Sequence, residues 1–359
     1  MIESANKTKL ESIQALRGLA FLFIFFEHIK LVRLGAAGVS IFIIMSGFLM
    51  VYNNYAMQLN LGFREGFLLA KSKISKLYGL HIVTLVLAMP FLLKGLIWTD
   101  IVKIVKTIMI IISQIVLLQS WIPNQDFFYA LNGVSWYLSL CTFLYFSFYF
   151  ILKRIKSFSC KKEAVLNIIT VSIVMSLLAI LSYSLFNDSV ISKWFTYIFP
   201  LYRLGDFYIG CCLGFLFTIE KSNSEKNESL TYTVIEIVGI LLLLCGMYIY
   251  SATEGINNFL SSLRYTTVFL PSSVILVYAF AKNKGVLTRL FSNKYLIQVG
   301  NLSAYTFLIH QLVIRYVKIV FGTLKVDNVL AIGIVSIAMT IIFANVYIKL
   351  EKKIKQKRN

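Results

Sequence analysis

Only three histidines occur in the chain, His28, His81 and His310, and each stands within or at the end of a long apolar stretch. Ionisable groups in such stretches are costly and therefore point to function. Arg17 and His28 lie eleven residues apart on the first stretch, close to three helical turns, so their side chains share a face and sit about 16 Å apart along the axis. One face thus carries a permanent cation near one end and an imidazole at depth. That pairing suits a long anionic thioester such as acyl-coenzyme A, whose phosphates need a cation at the mouth while its flexible arm carries the acyl group inward. The imidazole could deprotonate an acceptor hydroxyl as general base or take the acyl group itself as a covalent relay. Two plainer readings stand beside this one: Arg17 snorkels and fixes orientation, and His28 hydrogen-bonds between helices.

The elements that must position these groups are membrane helices. Of 359 residues, 58% are hydrophobic and only 14% charged, and mean hydropathy is +0.78. A soluble domain carries about 25% charged residues, so solubility, disorder, collagen and coiled coil are excluded. Apolar stretches long enough for about 30 Å of hydrocarbon fall near 13–33, 36–57, 77–93, 131–152, 164–186, 195–219, 232–251, 263–281, 300–321 and 328–348. The fold class is all-α, a polytopic integral membrane helical bundle of about ten transmembrane helices, forming a single domain over 1–359. The polar run from Glu220 to Ser229 is too short for a soluble domain. Lys7 and Lys9 ahead of the first stretch imitate a signal peptide, but Arg17 and His28 interrupt it and a second span follows at once.

A net charge of +19, from 35 Lys and Arg against 16 Asp and Glu, could mean nucleic acid. Its placement argues for short loops instead: Arg64 to Lys76, Lys153 to Lys162, Lys282 to Lys294 and Lys349 to Arg358 are basic, as cytoplasmic loops are. No basic stripe interleaved with exposed aromatics appears, so no nucleic-acid partner is expected. The segment 101–119 decides the topology. If it spans, the loop with Lys153, Arg154, Lys156, Lys161 and Lys162 falls outside; if it is interfacial or re-entrant, ten spans remain and every basic loop is inside. The second arrangement is expected, with both termini cytoplasmic in a multi-pass plasma-membrane protein whose surroundings are membrane lipids. The five cysteines show no C-x-x-C spacing, so neither a metal nor a disulfide framework is expected.

Several motifs carry a resemblance. Leu16-Arg17-Gly18-Leu19-Ala20, running to His28 and then to Gly38-Val39-Ser40-Ile41-Phe42-Ile43-Ile44-Met45-Ser46-Gly47-Phe48-Leu49, resembles the opening of the membrane-bound acyltransferase-3 family, which O-acylates bacterial surface polysaccharides. Lys71 to His81 is similar to that family's basic loop and following turn. Leu118-Gln119-Ser120-Trp121-Ile122-Pro123 with Asn132 to Ser139 is similar to its central motif, Tyr202 to Phe207 with Gly210 to its Arg-Leu-Pro-Glu-Phe segment, and Gly300 to His310 to its terminal His motif. The match covers about 300 residues, and the motifs fall in the family's order.

The resemblance implies an O-acyltransferase that moves an acyl group, with acetyl the first candidate, from acyl-coenzyme A (acetyl-CoA) to hydroxyls of a cell-surface polysaccharide or its lipid-linked precursor. It implies catalytic roles for His28 and Arg17, and substrate-binding roles for Lys71, Lys73, Lys76, Arg203, Asp206, Trp136, Ser46 and His310. The three lysines could equally be plain positive-inside charge, and Arg203 and Asp206, spaced three apart, could simply pair with each other. The chain departs from the family pattern where Leu140 and Cys141 replace a carboxylate after Leu-Ser, leaving Glu27 and Asp206 as candidate acids, and where Ser40, Gly79 and Gly205 stand for the usual Asp and prolines. Two other readings follow: a transporter that moves a glycan intermediate or acyl donor without chemistry, and a lapsed enzyme acting as a scaffold.

Overall fold

A computed structural model describes residues 10–56, 63–94, 100–186, 189–220, 229–256 and 259–358; Lys7, Lys9 and the polar run 221–228 lie outside them. Among the described residues the regular structure is all helical, with no strand. The helices are α1 (Glu11–His28), α2 (Gly35–Asn54), α3 (Phe63–Leu93), α4 (Ile101–Ile115), α5 (Gln125–Phe128), α6 (Trp136–Lys156), α7 (Lys161–Phe186), α8 (Ser189–Lys193), α9 (Pro200–Glu220), α10 (Ser229–Ala252), α11 (Phe259–Leu263), α12 (Leu270–Lys282), α13 (Val286–Phe291), α14 (Lys294–Thr323) and α15 (Val329–Arg358). Helices dominate because a backbone in hydrocarbon must satisfy its own hydrogen bonds.

Seven of them, α2, α3, α6, α7, α10, α14 and α15, are long and apolar enough to cross a membrane. The other three expected spans coincide with α1, with α9 and with the apolar helix Thr267–Lys282 that contains α12. The bundle has a clear centre. The apolar window of α2 is 89% buried, whereas those of α3, α7, α10 and α15 are 28% buried or less, so α2 is a core helix and those four form the lipid-facing rim. Around α2 the most intimate neighbours are α9 and α1, and α1 in turn lies along α14.

Small residues permit these crossings, as close helix packing in lipid requires. A Cβ on Gly210 of α9 would overlap the carbonyl of Ile44 on α2, and one on Gly300 of α14 would overlap the carbonyl of Gln14 on α1. No other residue type fits either point.

The basic stretches gather at one end. Lys161 and Lys282 both reach Glu220, at 3.4 and 2.8 Å, and Lys156 lies over the ring of Tyr55 just past α2, 5.9 Å from its centroid. The ends of α2, α6, α9 and α12 and the start of α7 therefore share a face. This fixes the status of α4. Phe63 and Gly66, at the start of α3, pack on Phe146 and Tyr149 in the second half of α6, so α3 leaves that face, α6 returns to it, and the chain between them makes no net crossing. Asp100 caps the start of α4, accepting from the amides of Val102 and Lys103 at 3.1 Å; the Lys103 amide bond is the main reason that its carboxyl titrates below the usual aspartate value.

Two of the expected basic loops are helix instead: Lys349 to Arg358 forms the last turns of α15, and Arg64 to Lys76 falls within the first four turns of α3. Good helix formers (Glu65, Leu68, Leu69, Ala70) fill it and no proline interrupts before Pro90, so the helix runs on beyond the apolar part.

Replacing Gly210 or Gly300 by Leu should destabilise the bundle by about 1–3 kcal/mol through overpacking, read as a lower midpoint in heat-challenge gel filtration of detergent-solubilised protein. Gly322→Ala, where a Cβ meets nothing within 4 Å, should leave the midpoint unchanged.

Candidate active site

His28 is the last residue of α1, and His310 lies in the middle of α14. The close crossing at Gly300 brings these helices together, and His28 Nδ1 lies 2.7 Å from His310 Nε2. The rings stack with centroids 4.9 Å apart, and Phe21 stands edge-on to His310 at 5.6 Å. The hydrogen bonds determine where the protons sit. His310 Nδ1 faces two backbone carbonyls, Phe307 O at 2.7 Å and Thr306 O at 3.2 Å, and carbonyls only accept. His310 Nδ1 must therefore carry its proton, which in a neutral ring leaves Nε2 as acceptor. His28 Nδ1 donates to it. The free lone pair of the couple is thus on His28 Nε2, the atom a general base would use.

His28 lines a cavity of about 360 Å³ together with Glu27, Trp136, Lys193, Gln311 and the tyrosines Tyr129, Tyr197, Tyr250 and Tyr265. Its volume lies within the range of small-ligand pockets. Glu27 accepts from the Gly35 amide and from the Tyr250 hydroxyl. Aromatic faces beside hydroxyls and amides are a surface on which a sugar ring can stack and hydrogen-bond.

Arg17 lies in a second cavity of about 460 Å³ near the beginning of α1, lined also by Lys73, Gln14, Asn53, Ser46, Tyr145 and Cys141. Its guanidinium is 3.4 Å from Gln14 Oε1. Neither Arg17 nor Lys73 forms an ion pair among the described residues, so two uncompensated cations face one space. That is a site for an anion. Phe307 lines both cavities, with Tyr137 and Phe42 packed on it at 5.0 and 6.1 Å. The chambers are therefore stacked along α1, divided by little more than aromatic rings.

The other predicted residues divide cleanly. Ser46 lines the Arg17 chamber and donates to Tyr145 at 3.2 Å, while Trp136 lines the His28 chamber. Lys71 and Lys76 are exposed on α3 and line neither. Arg203 and Asp206 are fully buried, pair at 2.9 Å, and are absent from both linings. Arg203 also donates to Thr266 and lies 5.7 Å from the ring of Tyr197, so it backs one wall of the His28 chamber.

The central motif proves to hold backbone. Between α4 and α6 the chain is largely irregular and partly buried, and most of its buried polar groups are hydrogen-bonded: Gln119 Nε2 donates to Ser135 O at 3.1 Å, Ser139 to Leu117 O at 2.6 Å, Asn132 Nδ2 to Leu308 O at 2.7 Å, and Trp194 to Ser120 O at 3.0 Å, while Gln119 Oε1 and Asn132 Oδ1 have no partner. His81 belongs to the same network, its Nε2 2.9 Å from Gln114 O. This scaffold places Trp136 and Tyr137, one beside each chamber. Where a carboxylate is usual, the Cys141 sulfur sits within hydrogen-bond reach of the Tyr137 and Tyr145 hydroxyls.

With this geometry in hand, comparison with known families is decisive. A family model described as an acyltransferase domain, that of the acyltransferase-3 family, matches residues 10–347. The chain belongs to the acyltransferase-3 family. It is a membrane acyltransferase. No match was found among curated proteins or among solved structures.

Lys193, Gln311 and the four tyrosines of the His28 chamber escaped the sequence reading. They come from four separate stretches of chain, and a lysine at the edge of an apolar run reads as loop charge. Diethylpyrocarbonate should modify one histidine, at His28 Nε2, because His81 and His310 are fully buried; mass spectrometry should find that adduct lost in His28→Gln and none on the other two.

Proposed function

We propose that the chain transfers acyl groups, acetyl first among them, from acyl-coenzyme A to a hydroxyl of a bacterial surface polysaccharide or its lipid-linked precursor. The observation that carries this reading is that His28, whose Nε2 keeps the free lone pair, lines a sugar-sized aromatic chamber, with Arg17 and Lys73, neither in an ion pair, in the chamber stacked against it. Arg17 and Lys73 hold donor phosphates, and the pantetheine arm lies along the cavity wall toward Phe307. The acceptor hydroxyl approaches His28 from the other side.

His28 Nε2 takes the hydroxyl proton as the oxygen attacks the thioester carbonyl. The tetrahedral intermediate collapses with cleavage of the carbon–sulfur bond, and the coenzyme thiolate leaves with the proton returned by His28. While His28 is protonated, the bond to His310 keeps its ring in place and spreads part of the charge, the part a triad's carboxylate takes elsewhere. The basic end, bearing the Arg17 chamber, faces the cytosol, where acyl-coenzyme A is made.

His28→Ala should lower the rate of coenzyme A thiol release by about 100- to 10,000-fold in purified protein supplied with acetyl-CoA and glycan, with normal protein yield. Arg17→Ala should raise KM for acetyl-CoA about tenfold or more, an effect that weakens as salt is added. A protein that binds acetyl-CoA and moves glycan yet never releases thiol would be a carrier, and the proposal would fail. His310→Ala should lower kcat about tenfold or more while leaving KM for acetyl-CoA unchanged, and His310→Gln, whose amide oxygen can accept from His28 Nδ1, should recover part of the loss.

A further inference from the structure

The His28 chamber holds a cation for which acyl transfer itself has no use. Lys193, at the end of α8, places its ammonium over the faces of Tyr129 and Tyr265, 5.4 and 5.5 Å from their centroids. Among the described residues it forms no ion pair. The one carboxylate lining the cavity, Glu27, is engaged by the Gly35 amide and the Tyr250 hydroxyl. A second cation, Arg264, is buried behind the same rings, 4.5 Å from Tyr250 and 5.3 Å from Tyr265, with its guanidinium given to the carbonyls of Thr253 and Tyr250. This wall therefore carries two positive charges against one negative.

An ammonium withdrawn from bulk water is strongly unfavourable; Glu27 attracts it and Arg264 repels it, so the one carboxylate offsets this only in part. The tyrosine faces offset part of that through cation–π attraction, but they supply no anionic acceptor for its N–H donors. A ligand that brought its own anionic oxygens would complete the site.

Resting on the acyl-acceptor reading of this cavity, we propose that Lys193 anchors an anionic group of the acceptor glycan, a sugar carboxylate or phosphate. Its sugar ring stacks on Trp136 and the tyrosines while a neighbouring hydroxyl meets His28 Nε2. The acceptor is then an acidic polysaccharide, such as one containing uronic acid or sugar phosphate, and neutral glycans are poor substrates.

Isothermal titration of the detergent-purified full chain, without donor, against methyl glucoside, methyl glucuronide and methyl glucoside 6-phosphate tests this directly. One of the two anionic probes should bind at least about tenfold tighter than methyl glucoside, the yield of one charge-assisted hydrogen bond, and the tighter of the two identifies carboxylate or phosphate. Lys193→Met should reduce that probe to the affinity of the glucoside, whereas Lys193→Arg should keep most of the preference. Coenzyme A binding should be unchanged in both variants, which separates loss of the anchor from loss of the fold. Equal affinity for all three probes, no binding of any, or a preference that survives Lys193→Met overturns the proposal. Thiol release is read separately: a protein with the preference but no release of coenzyme A loses the acyl-transfer reading and keeps the anion site, while release with no charge preference does the reverse.

Discussion

The hydrogen bond between His28 and His310 is the constraint around which the bundle is arranged. It joins residues 282 positions apart, and it exists only because α1 and α14 approach until Gly300 meets the Gln14 carbonyl. In a medium without water an imidazole pair left unsatisfied is expensive, so the bond and the crossing reinforce each other. The proton on His310 is pinned by its own helix, the proton on His28 is pinned by His310, and one lone pair is left over. A chemically simple couple thereby acquires a direction.

Much of this was legible in the sequence, for identifiable reasons. The span positions follow from the length of apolar runs, and the expectation that α4 does not cross follows from charge bias. The Arg17 and His28 spacing put both on one face, and the two chambers stacked along α1 are that face seen in three dimensions. The spacing of Arg203 and Asp206 announced their pairing. What was not legible depends on contacts between distant segments. Nothing local says that His28 meets His310, that Lys193 enters the same chamber, or that the helical start of α3 carries Lys73 into one cavity while Lys71 and Lys76 stay outside it.

The central motif shows why a motif's residues need not touch substrate. Chain without regular structure is tolerated at membrane depth only when it is buried and its polar groups are matched. Gln114, Gln119, Asn132, Ser135 and Ser139 do that matching between α4 and α6. Their product is indirect: two adjacent aromatic residues delivered to two different chambers. Where the usual carboxylate would stand, the Cys141 sulfur and two tyrosine hydroxyls group together on the wall of the Arg17 chamber.

In the proposed reaction, with one chamber toward the beginning of α1 and the other toward its end, the two spent reactants would retire in opposite directions. Thiol would depart where it was recruited and the modified sugar through the other chamber, so that neither obstructs the other's doorway and the two traffics are coupled only through a thin partition of rings.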